Sequence, residues 1–245
     1  MLHQHFNIGQ SQAVWNVRQN PNIVNVFSHI WNTKPDDLLV SFDGLSFAPP
    51  PEITNRGWFR NHTWYHSDQS FTRPQFECIQ GWVTGIDVNE GDATLAFYEG
   101  SNKFHQEFGR QFEITDKADW YKLTKDEEAF FKEKGCTEKK IKCRKGSLVL
   151  WDSRTIHCGT EAMRNREKEN FRAIIYTCYQ PRILATEKQL IKKRKAFNDL
   201  RMTSHWPCKG KLFPKNPRTY GNPLPEITRI EPPTLSELGQ KLAGF

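Results

Sequence analysis

Two stretches of this chain carry residues whose types and spacing suit metal chemistry. His66 and Asp68 are separated by a single residue. On a β-strand such positions point to the same face, so an imidazole and a carboxylate would be aimed side by side at one point. The second stretch, Gly146-Ser147-Leu148-Val149-Leu150-Trp151-Asp152, opens on a glycine, runs as an apolar strand and leads to His157 just past its end. A second imidazole from there would complete a set of two histidines and one carboxylate. Such a set leaves three positions of an octahedral Fe(II) open for a co-substrate and dioxygen, which a closed tetrahedral set does not. The tripeptide alone is weak. With eight histidines and eleven aspartates in the chain, a chance His-x-Asp arises about one time in three, and a solvated turn is then the simpler reading.

Further residues fit around this set. Arg172 opens another apolar strand, Ala173-Ile174-Ile175-Tyr176. A guanidinium there is costly unless an anion meets it, and a carboxylate is its best-matched partner, so Arg172 has the character to hold the far carboxylate of 2-oxoglutarate. Arg154 is the rival, with an ion pair to Asp152 or a place in the substrate pocket as its other roles. His62, four residues before His66, suits a pocket rim or a structural position. Gln80 and Trp82 share one strand face by alternation and are candidates for a cofactor wall, although a strand tryptophan is more often core.

The order His-x-Asp, distal histidine, arginine resembles the phytanoyl-CoA dioxygenase-like family of Fe(II)/2-oxoglutarate-dependent oxygenases, over about residues 60–180. The likeness extends to Gln69 directly after His-x-Asp and to the tryptophan-bearing Gly81-Trp82-Val83-Thr84. The span from Gly91 to His105 is similar to the family's Gly-x-Leu strand and following turn. The resemblance implies that His66, Asp68 and His157 are the iron ligands and catalytic centre and that Arg172 binds 2-oxoglutarate. Thr160 stands one position later than the family's small hydroxyl residue. The implied cofactors are Fe(II) and 2-oxoglutarate. The implied reaction is hydroxylation of a small organic substrate by dioxygen, with release of succinate and CO2. Two departures stand out: Glu99-Gly100-Ser101-Asn102 replaces a Pro-Gly-Ser-His-like turn, and the charged run Arg164–Glu169 lengthens the interval from His157 to Arg172.

The elements that must position these residues are legible in part. Pro21–Trp31 reads as a helix, with Ile23, Val26, Phe27, Ile30 and Trp31 as its apolar stripe and the proline in its first turn. Strands are expected at Leu38–Phe42, Thr63–His66, Cys78–Val88, Thr94–Tyr98, Ser147–Trp151 and Ala173–Tyr179. The charged interval 116–145 reads as a helical insertion, with Thr124 to Glu127 as a capping box. A second box opens at Thr186, before a helix with Leu190, Ile191, Phe197 and Leu200 on one face and the Lys192–Lys195 run mainly in solvent. The proline-rich tail from Pro207 reads as extended chain. Many short strands favour a sandwich or barrel. With the resemblance, the expected fold is mainly β with flanking helices, a double-stranded β-helix (jelly-roll, cupin-like) barrel. One domain spans 1–245: a supporting region at 1–60, the β-helix core at 61–182 and a basic helix with its tail at 183–245.

Composition narrows the setting. The N-terminal MLHQHFNIGQ has neither basic flank nor apolar run, and no apolar segment approaches the ~20 residues that cross a bilayer, so no membrane partner is expected. Six cysteines without a CxxC pair fit free thiols in a reducing compartment, taken as the cytoplasm. The net charge of +7 is concentrated: Lys188 to Arg218 holds ten Lys/Arg against Asp199 alone. A solvated helix face and a partner surface are equal readings of that segment. A small-molecule substrate is favoured, and the basic residues would suit an anionic one. The alternatives are a nucleic-acid-modifying oxygenase using residues 188–218 and a non-catalytic binding module on the same fold.

Overall fold

The computed structural model describes residues 2–224, 226 and 230–245. Strand β1 (Leu2–His3) precedes helices α1 (Gln12–Arg18) and α2 (Pro21–Trp31), followed by β2 (Leu38–Val40), β3 (Leu45–Ala48), α3 (Pro51–Thr54) and β4 (His66–Ser67). Next come β5 (Ile79–Thr84), β6 (Thr94–Tyr98), α4 (His105–Gln111), β7 (Tyr121–Lys122), α5 (Lys125–Glu133), β8 (Glu138–Lys140) and β9 (Leu148–Asp152). The chain continues through β10 (His157–Thr160), β11 (Arg172–Pro181), α6 (Glu187–Asn198) and α7 (Glu237–Ala243). Antiparallel sheets with flanking helices are the architecture expected of a jelly roll. The chain divides into two compact units, one of Met1–Phe47, Gln80–Val83 and Ala173–Phe245, the other of Ala48–Ile79 and Thr84–Arg172.

In the first unit β2 pairs antiparallel with β11 and β1 with β3. Helix α2 has the expected bounds: Asn20 caps it by accepting from Asn22 N, Pro21 takes the first turn, and Asn32 ends it in the left-handed region at φ 47°. Its buried residues are Val24 and Phe27, while Val26 and Ile30 of the predicted stripe are exposed. The stripe is rotated because Phe27 and Trp31 both seek Tyr179: the Phe27 ring lies 4.5 Å from that of Tyr179, and Trp31 Nε1 donates to its carbonyl at 2.9 Å.

Helix α6 opens on the Thr186–Gln189 capping box. Its buried side is Leu190, Lys193 and Ala196, with Ile191 exposed; of the Lys192–Lys195 run, expected mainly in solvent, Lys192 and Lys195 are exposed and Lys193 alone is buried. Lys193 is tolerated inside because its ammonium donates to Val40 O and Pro207 O and lies 4.0 Å from the centroid of Phe42. The tail is not extended throughout. It ends in α7, capped by Ser236, and residues 225 and 227–229 of the tail lie outside the described residues.

The second unit is built on the antiparallel sheet β7-β4-β10-β6-β8. The register aligns His157 with both His66 and Phe97, and Cys158 with Ala96. Alternation therefore places His66, His157 and Gly159 on one face and Cys158, Ala96 and Tyr98 on the other. That second face packs on a core of Tyr65, Phe71, Phe108, Phe130, Phe131 and Ile156, each large ring stabilising the unit by about 1.5–3 kcal/mol through burial. The interval 116–145 holds one helix, α5, with the expected Thr124–Glu127 box, but also β7 and β8, whose short runs extend the sheet at both edges. Neither strand is long enough to print a two-residue alternation in the sequence.

Candidate metal centre

His66 sits on β4 and His157 on β10, opposite one another in the register, and Asp68 follows where the chain leaves β4. The His66 Nε2 lies 3.5 Å from Asp68 Oδ1, and the His157 Nε2 lies 3.4 Å from Asp68 Oδ2. All three donor atoms fall within 4.8 Å of one another. Three ligands about 2.1 Å from a single ion and at right angles would be about 3 Å apart, so these positions fit one metal with little adjustment.

The tautomers also fit. His66 Nδ1 lies 3.2 Å from Trp64 O and His157 Nδ1 lies 2.8 Å from Thr155 O. A carbonyl can only accept, so Nδ1 carries a proton in both rings, which leaves each Nε2, on the Asp68 side, as the nitrogen available to a metal. Burial, and next the neighbouring His157, push the His66 imidazole below its ordinary pKa, which favours the neutral form a metal needs.

The loops on either side are tied together by one buried amide. Gln69 accepts from Ser153 Oγ at 2.7 Å and donates to Arg73 O and, at 2.7 Å, to Gln75 O. Its own carbonyl meets Ser67 Oγ at 2.8 Å and His105 Nε2 at 3.2 Å. The segment that carries Asp68 is thereby fastened to the segment that leads into His157. Ser101, in the turn that departs from the family pattern, accepts the Ile156 N–H at 2.9 Å and holds the entry to β10.

The other predicted residues are distributed unevenly. Arg154 bonds Asp152, at 2.9 Å through Nε and 2.6 Å through Nη2, and Pro74 O at 2.8 Å, so the ion pair, one of its three expected roles, is formed. Arg172 is half-buried at the head of β11, and its Nη1 donates to Ala93 O at 2.8 Å. Thr160 donates to Thr94 O at 3.3 Å. Three residues along β10 from His157, it lies on the opposite strand face and is not gathered with the three donors. His62 is exposed in irregular chain before β4. Gln80 and Trp82 lie in the first unit, both buried, and their Nε2 and Nε1 find no hydrogen-bond partner among the described residues.

Three tryptophans beside the two histidines were not singled out from the sequence. Trp64 stacks on His66 at 4.8 Å and 4°, Trp120 approaches the same ring at 5.8 Å, and Trp151 lies 5.4 Å from His157. The buried Nε1 of Trp151 has no acceptor among the described residues. Trp64 had a signal, since it is two residues from His66 and shares its face. Trp120 had none.

Comparison with known proteins places this site in context. The sequence profile of the phytanoyl-CoA dioxygenase family matches residues 3–168. The chain is 28% identical over 211 residues to Ava biosynthesis cluster protein O of Aspergillus versicolor, covering 83% of this chain and 65% of that protein, so it spans just under two thirds of that relative's length. A hypothetical protein from Escherichia coli matches with a TM-score of 0.62 and 16% identity, over 100% of this chain and 70% of that one. A putative oxidoreductase from Salmonella typhimurium LT2 matches with a TM-score of 0.62 and 14% identity, over 96% of this chain and 67% of that one. At these identities the structural likeness is one of fold.

Proposed function

The chain belongs to the phytanoyl-CoA dioxygenase family, and from that premise we propose that it is an Fe(II)- and 2-oxoglutarate-dependent oxygenase that hydroxylates a small organic substrate. The observation that carries this reading is the convergence of His66 Nε2, His157 Nε2 and the two Asp68 oxygens, with both Nδ1 atoms held by backbone carbonyls. His66, Asp68 and His157 would hold the iron on three adjacent positions. When bound, Fe(II) and 2-oxoglutarate supply dioxygen activation, one oxygen atom passing to the substrate as 2-oxoglutarate is converted to succinate and CO2.

The protein's part is positioning. Arg172, oriented through Nη1 on Ala93 O, would pair with the distal carboxylate of 2-oxoglutarate. Asp68 would supply the one anionic ligand and the two imidazoles would add no charge, so a bound divalent cation would keep part of its charge to attract a carboxylate. Among the described residues no disulfide joins any of the six cysteines, which supports a reducing, cytoplasmic setting. No helix among the described residues is long and apolar enough to cross a membrane.

The test is an anaerobic titration of the protein with Fe(II) and 2-oxoglutarate, reading the visible charge-transfer band of the chelate. The parent is expected to develop the band and Asp68→Ala to lose it. A band of equal intensity in Asp68→Ala would mean that the ligands are misassigned.

A further inference from the structure

The oxygenase reading leaves open what kind of substrate faces the metal position, and the aromatic residues around His66 bear on it. Trp64 has one indole face on the His66 imidazole and its Nε1 donating to Gly159 O at 3.0 Å, yet it is 38% exposed. Gly159 lies on the same sheet face as the two histidines. A Cβ there would stand 3.6 Å from Trp64, in ordinary van der Waals contact, so the indole lies directly beside this stretch of the sheet. Trp120 also approaches the His66 ring, tilted by 40°, and is 53% exposed, with its backbone in the left-handed region at φ 71°. A bulky residue rarely adopts that conformation unless its neighbours impose it.

The neighbours do impose it. Asp119 pairs with Arg73 at 2.6 Å and accepts from Ser70 N at 3.3 Å, which ties the residue before Trp120 to the segment that carries Asp68. Tyr121, the residue after, donates to Glu127 at 2.5 Å and sets its ring 5.4 Å from Phe71. An exposed indole is thus held at fixed height beside a metal-binding histidine, at a conformational cost that burial does not offset.

The geometry points to an aromatic clamp: Trp64 and Trp120 flank the metal position and select a substrate that presents a flat, conjugated ring system without positive charge. This inference rests on the oxygenase reading and names the substrate class for that site. Flat rings gain from offset or tilted contact with indole faces, whereas a saturated skeleton of equal size gains area alone. An aromatic cage for a cation generally also needs uncompensated negative charge. Here Asp119 is paired with Arg73 and Glu128 with Lys125, which also bonds Thr63 at 3.0 Å, and Lys122 stands opposite His66 in the register. The local balance therefore disfavours a cation.

The test follows binding of three probes by ligand-observed NMR, under anaerobic conditions with Fe(II) and 2-oxoglutarate present: 2-naphthol, its saturated counterpart 2-decalol, and tetramethylammonium. The expected result is that 2-naphthol binds the parent at least about tenfold more tightly than it binds Trp120→Ala. Trp120→Phe should restore most of that difference, and the other two probes should bind more weakly than 2-naphthol. The charge-transfer band should be the same in the parent and both Trp120 variants. Equal 2-naphthol affinity in parent and Trp120→Ala, no 2-naphthol binding to the parent, or tighter binding of either other probe overturns the clamp. Loss of the band in Trp64→Ala would make Trp64 a positioning residue for His66 and overturn its place in the clamp. If the parent gives no band, the oxygenase reading fails, while the Trp120 comparison still decides the clamp.

Discussion

At the scale of single residues, the consequential side chain behind the metal ligands is Gln69, whose amide bonds Ser153, Arg73 and Gln75 from a fully buried position. Gln69→Ala leaves several buried partners unsatisfied and is expected to cost about 3 kcal/mol, read as a lower midpoint in urea. It should also weaken iron binding, because the Asp68 and His157 segments lose their common anchor. An unchanged midpoint would mean that the network is not structural. The sequence marked Gln69 only through its place after His66-Ser67-Asp68. Its partners are up to 84 positions away, and no local pattern encodes them. The choice between Arg154 and Arg172 had the same character, since both are cations near the distal histidine. The bidentate pairing of Arg154 with Asp152 is a contact that the sequence offered only as one of three roles.

At the scale of elements, the charged run Arg164–Glu169 looks in sequence like a spacer between the distal histidine and Arg172. In the fold it is an anchor. Arg166 bonds Glu52 on α3 and, at 2.9 Å, Asp92, while Asn170 donates to the other Asp92 oxygen at 2.7 Å and to Asp87 O at 2.9 Å. These contacts fix the chain as it turns into β11 and presents Arg172. The side chains of Arg166 and Asp92 are 2% and 5% exposed, so Arg166→Ala strands a buried carboxylate and is expected to cost about 3–5 kcal/mol. Lys142→Ala breaks a pair with Glu90 that is largely in solvent and should stay within about 0.5 kcal/mol. Chemical denaturation of the two variants checks the contrast, and equal effects would remove the anchor. Capped helices were the legible elements: Asn20-Pro21, Thr124–Glu127 and Thr186–Gln189 each mark a start by local hydrogen bonding. The two-residue strands β4 and β7 were not, because pairing across the sheet rather than local preference defines them.

At the scale of the whole molecule, the basic segment from Lys188 to Arg218 is largely used within its own unit. Lys192 bonds Gly210 O, Lys193 bonds Val40 O, and Arg194 bonds Gly244 O and Glu187. Lys195 pairs with Asp199, Arg201 bonds Phe213 O, and Lys209 lies over Trp206. Cations already engaged this way release few counterions from a phosphate backbone. Single-stranded DNA is therefore expected to bind no more tightly than the non-specific range of about 10⁻⁶–10⁻⁴ M at physiological salt, measured by fluorescence anisotropy. Affinity well beyond that range would favour the nucleic-acid reading. The sequence by itself determined the donor types, their order, the capped helices and the central strands, because each is written in local spacing or side-chain chemistry. Only the tertiary structure decided that the donors meet, which charges are already paired, and that Trp64 and Trp120 flank His66. Those outcomes depend on register and on contacts between residues far apart in the chain, where neither periodicity nor composition carries information.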